Sequence, residues 1–307
     1  MMITLIEDVE VFSPEPLGRQ SVVVVGEKIA RVGDAQVDAL KRSGLDALHI
    51  NGTALLAVPG LIDPHQHLIG GSGESGYATQ TPEIFFSEIV GAGITTVVGC
   101  LGVDTVTRTM PALLAKAKGL SDQGLSAYIW SGGYDVPPVT LTGSLQSDIL
   151  YVEEVIGAGE IALSDRRSSQ PSLQELAHLV SEVYVGGMLT NKAGVTHFHM
   201  GDGAEKLGLV RRVLSDFPIS PESVYPTHVE RTCELFDDAI ELTSKGVYVD
   251  VDTFEEDLAQ NVSYFLEKNG NPERLTASTD AAINSPHTLL EGVRQCVRSG
   301  ISLECAL

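Results

Sequence analysis

Histidines and carboxylates recur at the ends of apolar runs, beginning with Asp63-Pro64-His65-Gln66-His67. In an extended strand, residues i and i+2 share a face, so His65 and His67 would present two imidazoles side by side. By itself a His-x-His pair fits a surface loop as well as a metal site. The pattern continues, however. Later runs carry Glu160 followed by Asp165-Arg166-Arg167, then His197-Phe198-His199, then Thr227-His228-Val229-Glu230-Arg231, and finally Ser278-Thr279-Asp280. Separate structural roles would need a separate reason at each position, whereas a metal centre accounts for them together. Imidazole and carboxylate ligands without thiolate suit Zn²⁺, with Mn²⁺, Co²⁺ or Fe²⁺ as alternatives. The ligands exceed one tetrahedral set, so two metals are expected, bridged by Glu160. Such a pair polarises a carbonyl and acidifies a bridging water. Asp280 is placed to take the water's proton and return it to a leaving group.

The positioning elements follow from the pattern around these residues. Apolar, strand-like runs span 54–62, 94–100, 126–131, 155–163, 194–200, 224–229, 246–251 and 274–279. Helical patterns cover 82–92, 105–118, 172–184, 204–215, 233–244, 256–269 and 288–298, with Pro111 a potential breaker in the second. Apolar strands alternating with helices predict a parallel sheet covered on both faces. Eight such units predict a (β/α)8 TIM-like barrel, with a doubly wound open sheet as the alternative. A barrel of this kind carries its active site at the C-terminal strand ends, where the polar residues cluster. Residues 1–53 read as a small domain of short strands, and 54–307 as the barrel.

Bulk properties narrow the function. The 307-residue chain has a formal net charge of −21 and 43% hydrophobic residues. That charge argues against nucleic acid and anionic membrane surfaces as partners. No apolar run reaches the roughly 20 residues that span a bilayer. The N-terminus, Met1-Met2-Ile3-Thr4-Leu5, has no basic region and apolar core of a signal peptide. Four scattered cysteines read as reduced, in a cytoplasmic protein.

The ordered set His-x-His, central carboxylate, His, His and Asp resembles the amidohydrolase superfamily. Its context narrows the resemblance to isoaspartyl (β-aspartyl) dipeptidases: the glycine-rich stretch 70–76 with Glu74, Thr81-Pro82-Glu83, Ser131-Gly132-Gly133-Tyr134, Ser164-Asp165-Arg166-Arg167-Ser168, Phe198-His199-Met200-Gly201-Asp202 and Pro226-Thr227-His228-Val229-Glu230-Arg231. The likeness runs over essentially the whole chain. It implies a zinc metallo-dipeptidase, a protease that cleaves the β-aspartyl bond of dipeptides by a metal-bridging hydroxide with Asp280 as proton shuttle. It implies that His65, His67 and Asp280 hold one metal, that His199 and His228 hold the other, and that Glu160 bridges them. Glu74 would receive the substrate ammonium group and Tyr134 would stabilise the oxyanion. Arg167, favoured over Arg166 by its spacing from Glu160, and Arg231 would bind substrate carboxylates. Asn284 and Ser285 stand nearest to the place where the family has a substrate-binding serine. The partners implied are a small peptide and further copies of the chain.

Two departures stand out. Well-known members bridge their metals with a carboxylated lysine, where this chain has Glu160. Family members also continue past the eighth helix with strands that complete a β-sandwich, so the sequence reads as C-terminally truncated and the sandwich as incomplete. Other readings remain: a sister amidohydrolase acting on a cyclic amide or an N-acyl amino acid, and a non-catalytic binding barrel. Of the remaining residues, His197 reads as core or as support for a ligand, and Asp63 as a turn cap or as support for one. Trp130 reads as core. His49, His178 and His287 read as surface or structural, and Cys100 lacks the base a nucleophile needs.

Overall fold

The fold begins with a β-hairpin. Ile3–Phe12 (β1) pairs antiparallel with Pro16–Val25 (β2), and the proline-rich Ser13-Pro14-Glu15 turns the chain between them. Lys28–Gly33 (β3) adds antiparallel to β2 across Gly26-Glu27. On the other side of β1, Ala47–Asn51 (β4) and Leu56–Ala57 (β5) pair with it in parallel. Leu5, Val9, Val11, Val22 and Val23 are the buried residues of this sheet. The computed structural model describes residues 2–33, 42, 44, 46–71, 74–253 and 258–307. Ser72 and Gly73 of the glycine-rich stretch, and the first two residues of the helix expected over 256–269, lie outside them. The chain divides into two compact units, Met1–Gly60 with Ser302–Leu307, and Leu61–Ile301.

The expected strand over 54–62 is in fact two elements. Pro59 has no N–H for a ladder and Gly60 frees the backbone, so β5 ends before them. A new strand, Leu61–Gln66 (β6), starts after them in the second unit. From there strands and helices alternate: Phe86–Gly91 (α1), Ile94–Gly99 (β7), Met110–Asp122 (α2), Ser126–Ser131 (β8), Leu145–Tyr151 (α3), Val155–Leu163 (β9) and Leu173–Thr190 (α4). The series continues with Val195–Met200 (β10), Gly208–Asp216 (α5), Val224–Thr227 (β11), Cys233–Thr243 (α6), Val249–Asp252 (β12), Leu258–Glu267 (α7), Leu275–Ser278 (β13) and His287–Arg298 (α8). A final turn of helix, Leu303–Ala306 (α9), belongs to the first unit. Pro111 falls in the first turn of α2, where a missing N–H breaks no helical bond. Helix α3 has no counterpart among the expected helices. It is only seven residues long and is held by its Ser144 cap, too short for periodicity to reveal.

All pairings among β6–β13 are parallel, in the order β11-β10-β9-β8-β7-β6 with β12-β13 as a separate pair. The sheet curls into a TIM-like barrel. Two seams interrupt its backbone ladder, and buried carboxylates bridge both. At the β11–β12 seam, Asp250 accepts bonds from Tyr225 (3.1 Å) and Thr227 (2.7 Å) on β11, and from Thr276 (2.6 Å) and Ser278 (2.5 Å) on β13. At the β13–β6 seam, Asp63 accepts from the Thr279 N–H (3.2 Å) and hydroxyl (2.6 Å), from the Gln66 amide (2.7 Å) and from the His65 N–H (3.3 Å). The His67 N–H also donates to the Ala281 carbonyl across this seam. Among the described residues, no helix is long and apolar enough to cross a membrane.

Candidate functional site

Glu160 lies at the centre of the ring of residues singled out by the sequence. Its Oε1 is 3.4 Å from His65 Nε2 and 3.6 Å from His67 Nε2. Its Oε2 is 3.1 Å from His199 Nδ1 and 3.7 Å from His228 Nε2. Asp280 Oδ1 completes one side, 3.0 Å from His67 Nε2 and 3.4 Å from His65 Nε2. The four histidines and Glu160 are buried. His65 Nε2, His228 Nε2 and Asp280 Oδ1 are buried without a hydrogen-bond partner. Orphaned polar atoms of this kind are costly, and these three converge on Glu160 from different strands. A divalent cation satisfies such a donor set, so the residues present fit a metal. Glu160 with His65 and His67, and Glu160 with His199 and His228, each bring their ligand atoms within 4.8 Å of one another.

Local backbone features aim these side chains. Between the β9–β10 pairs Ala158↔Thr196 and Ile161↔Phe198, two residues of β9 face His197 alone. This β-bulge turns Glu160 into the barrel. Gly159 makes the close approach feasible, since a Cβ there would lie 2.7 Å from that of His197. His228 and Asp280 follow the ends of β11 and β13 in the left-handed region, with φ of 60° and 50°. Such conformations cost energy in non-glycine residues and cluster at functional sites. Here they swing the two side chains across the barrel mouth. Gly102 packs its α-carbon against the ring, where a Cβ would be 2.7 Å from His67 Cε1.

Electrostatics set the charge of the centre. Burial pushes the Glu160 carboxyl upward, but the His65 charge and the hydrogen bond from His199 prevail and hold it well below its usual range. It is an anion at neutral pH. Burial lifts Asp63 to about 6 against the pull of its hydrogen bonds. Burial and the neighbouring Asp252 charge raise Glu230 well above an ordinary glutamate.

Three supporting residues were not among those expected at the site. Asp252 Oδ2 lies 2.7 Å from His228 Nδ1. Asp165 Oδ2 lies 3.1 Å from His199 Nε2. Cys100 Sγ lies 3.7 Å from His67 Nδ1 and falls in one metal-capable group with His65, His67 and Glu160; the two histidines lower its thiol pKa against the effect of burial, so a base does stand beside it. Asp252 had a readable signal, because Asp250 and Asp252 end an apolar run two residues apart, as His65 and His67 do.

Above the ring opens a cavity of about 560 Å³ lined by Glu74, Tyr134, Arg167, Arg231, Asp280 and Ile283, among others. Tyr134 Oη is 2.8 Å from His199 Nδ1. Arg167 is gripped by both oxygens of Asp165 (3.0 and 2.7 Å) and pairs with Glu74 at 2.6 Å. Arg166 is exposed, so Arg167 is the one in the cavity wall. Asn284 bonds Thr288 (3.4 Å), while Ser285 accepts from the His287 N–H (3.4 Å) at the start of α8. The wall beside them is formed by Ile283.

Comparison with known proteins agrees with this picture. The chain superposes on the crystal structure of a β-aspartyl dipeptidase from the thermophilic, keratin-degrading Fervidobacterium islandicum AW-1 with a TM-score of 0.94 and 37% identity, covering 99% of this chain and 84% of that one. A second structure, of that dipeptidase in complex with the β-Asp-Leu dipeptide, matches at TM-score 0.92 and 35% identity, covering 100% and 84%. A dihydroorotase shares the fold at TM-score 0.62 and 14% identity, covering 100% of this chain and 81% of that one. Among curated sequences, 108 residues are 33% identical to an imidazolonepropionase from Alkaliphilus oremlandii, 34% of this chain but only 25% of the relative's length. No family model matches the chain.

Proposed function

Because the chain belongs to the β-aspartyl dipeptidase family, we propose that it is a metal-dependent hydrolase of the β-aspartyl bond in dipeptides. The observation that carries this reading is one cavity floored by the Glu160-centred ligand ring and walled by Glu74, Arg167 and Arg231. Two divalent ions, Zn²⁺ in our reading, would be held by His65, His67, Glu160 and Asp280, and by Glu160, His199 and His228. Bound there, they supply Lewis acidity and make a water acidic enough to ionise near neutral pH.

The chain's own groups do the rest. Asp280, with an unpartnered oxygen at the cavity floor, takes the water's proton and delivers it to the leaving amine. Tyr134 stays protonated, because burial and the Glu160 charge hold its pKa well above the usual value. Its O–H can therefore donate to the developing oxyanion. Glu74 receives the α-ammonium group, and Arg167 and Arg231 fork onto carboxylates. Glu74 and Arg167 now pair with each other, so binding exchanges that ion pair for two with the substrate. Residues 1–60, in this reading, form one face of a small β-sandwich and 61–301 the catalytic (β/α)8 barrel. The enzyme works in the cytoplasm as a homo-oligomer.

The test pairs elemental analysis with an assay on β-Asp-Leu and α-Asp-Leu. Two metals per chain and hydrolysis of the β isomer alone are expected. Fewer than one metal per chain refutes the metal centre. Equal rates on the two isomers refute the substrate and point to a sister amidohydrolase.

A further inference from the structure

His197 is fully buried one layer below the ligand ring, two residues before His199 on β10. Its ring stacks on Trp130 (centroids 5.4 Å apart) and lies against Tyr225 (4.7 Å). Trp130 is itself fixed by donating its indole N–H to the Pro64 carbonyl at 2.9 Å. The edge of the His197 ring spans two groups: Nδ1 is 3.1 Å from the Tyr225 carbonyl oxygen, and Nε2 is 3.1 Å from His65 Nδ1.

The chemistry of these partners fixes the protons. A carbonyl oxygen only accepts, so His197 Nδ1 carries a hydrogen. Among the described residues, the polar partners of this ring are that carbonyl and His65, and its faces are aromatic. No carboxylate bonds this ring, and full burial among aromatic faces disfavours a cation, so Nε2 keeps its lone pair. His65 Nδ1 must then be the donor between the two rings. When His65 acts as a neutral metal ligand, its one hydrogen is thereby committed to Nδ1, and the lone pair is placed on Nε2. That atom is the one left without a partner, facing Glu160 and Asp280.

We propose that His197 is a positioning residue that sets the tautomer and ring orientation of His65, through the chain Tyr225 carbonyl, His197, His65. This rests on the reading of His65 as a metal ligand, for which outer hydrogen bonds of this kind tune affinity. The carbonyl anchor lies on β11, so the chain also ties the ligand on β6 across the barrel to the strand that leads into His228.

Three variants test the assignment. His197→Gln can place an amide oxygen where Nε2 lies. His197→Asn keeps only a donor toward Tyr225. His197→Phe fills the volume and keeps the stacking. The readouts are zinc affinity by chelator competition and the NMR signal of the hydrogen-bonded His65 Nδ1–H. Wild type and H197Q should show that ring N–H. H197N and H197F should lose it and bind zinc about 10–100-fold more weakly than wild type. A purely structural role predicts the reverse order, with H197F closest to wild type. Equal affinity and an unchanged His65 signal in H197F would overturn the proposal, as would H197N behaving like H197Q. A wild-type protein without zinc affinity, whose His65 N–H signal is still lost in H197F, would keep the relay and overturn the metal reading.

Discussion

Asp63 offers the sharpest test of how this site is held together. It joins the strand that carries His65 and His67 to the segment that carries Asp280, through bonds to residues 216 positions apart. In Asp63→Ala, the His65 and Thr279 amides, the Thr279 hydroxyl and the Gln66 side-chain amide lose their acceptor. A buried unpaired donor costs about 1–3 kcal/mol, but the four are neighbours and share relaxation, so their losses do not add. The alanine variant should therefore lose more than the cost of one such donor but less than that of four, about 3–5 kcal/mol. Asp63→Asn should cost about 1–2 kcal/mol. Its oxygen can still serve the two backbone amides, and the Thr279 hydroxyl can reverse its role. Gln66 can rotate its amide, whose oxygen is buried without a partner, to accept from the new NH₂ group. The assay is urea unfolding of the metal-free variants followed by tryptophan fluorescence, since Trp130 is the single tryptophan and lies in the barrel. An alanine variant as stable as the asparagine variant would show that the seam does not depend on this carboxylate.

Asp280→Asn should lower kcat on the β-aspartyl dipeptide by about 10²–10⁴; near-normal turnover would remove Asp280 as the proton shuttle. Gly102→Ala forces a Cβ to within 2.7 Å of His67 and 3.3 Å of Glu160 Oε1, at a φ of +76°. Metal affinity measured by chelator competition should fall about 10–100-fold, and unchanged affinity would contradict the tight ring. Burial raises the Asp250 pKa in the folded state, although its hydrogen bonds oppose the shift. A raised acid contributes its full stability below its unfolded pKa of about 4 and loses it as pH rises through the folded value. The stability advantage of wild type over Asp250→Asn should therefore shrink as pH rises from about 4, and a constant or growing gap in unfolding midpoints would refute this.

The barrel was legible because its strands are apolar throughout, which makes 126–131 and 155–163 visible without partners; both coincide with β8 and β9. The strand holding His65 was legible in kind but not in extent, since Pro59-Gly60 divides a continuous apolar run between two units. The convergence around Glu160 could be read because its members share one rule, a histidine or carboxylate at a strand end. Asp252 obeys the same rule at the end of β12. The seam carboxylates were illegible for a different reason. Asp63 and Asp250 take their meaning from partners on other strands, and no local spacing encodes that Thr279 faces Asp63. The cavity wall was legible only through family likeness, because Glu74 and Arg167 meet across 93 positions.

The interrupted ladder bears on how the barrel opens. Strand β13 has a backbone partner in β12, but at β6 and β11 this pair is fastened chiefly by side chains. Segments with few ladder bonds are the first to exchange their amides, in cooperative pieces smaller than the whole fold. Asp280 stands two residues past the end of β13, whereas the histidines and Glu160 belong to the continuous six-stranded sheet or its end. Asp280 thus follows the two-stranded pair, and the rest of the ring stands on or beside the six-stranded sheet. An ion held by ligands from both would act as a rivet between them, adding its binding free energy to the cost of opening.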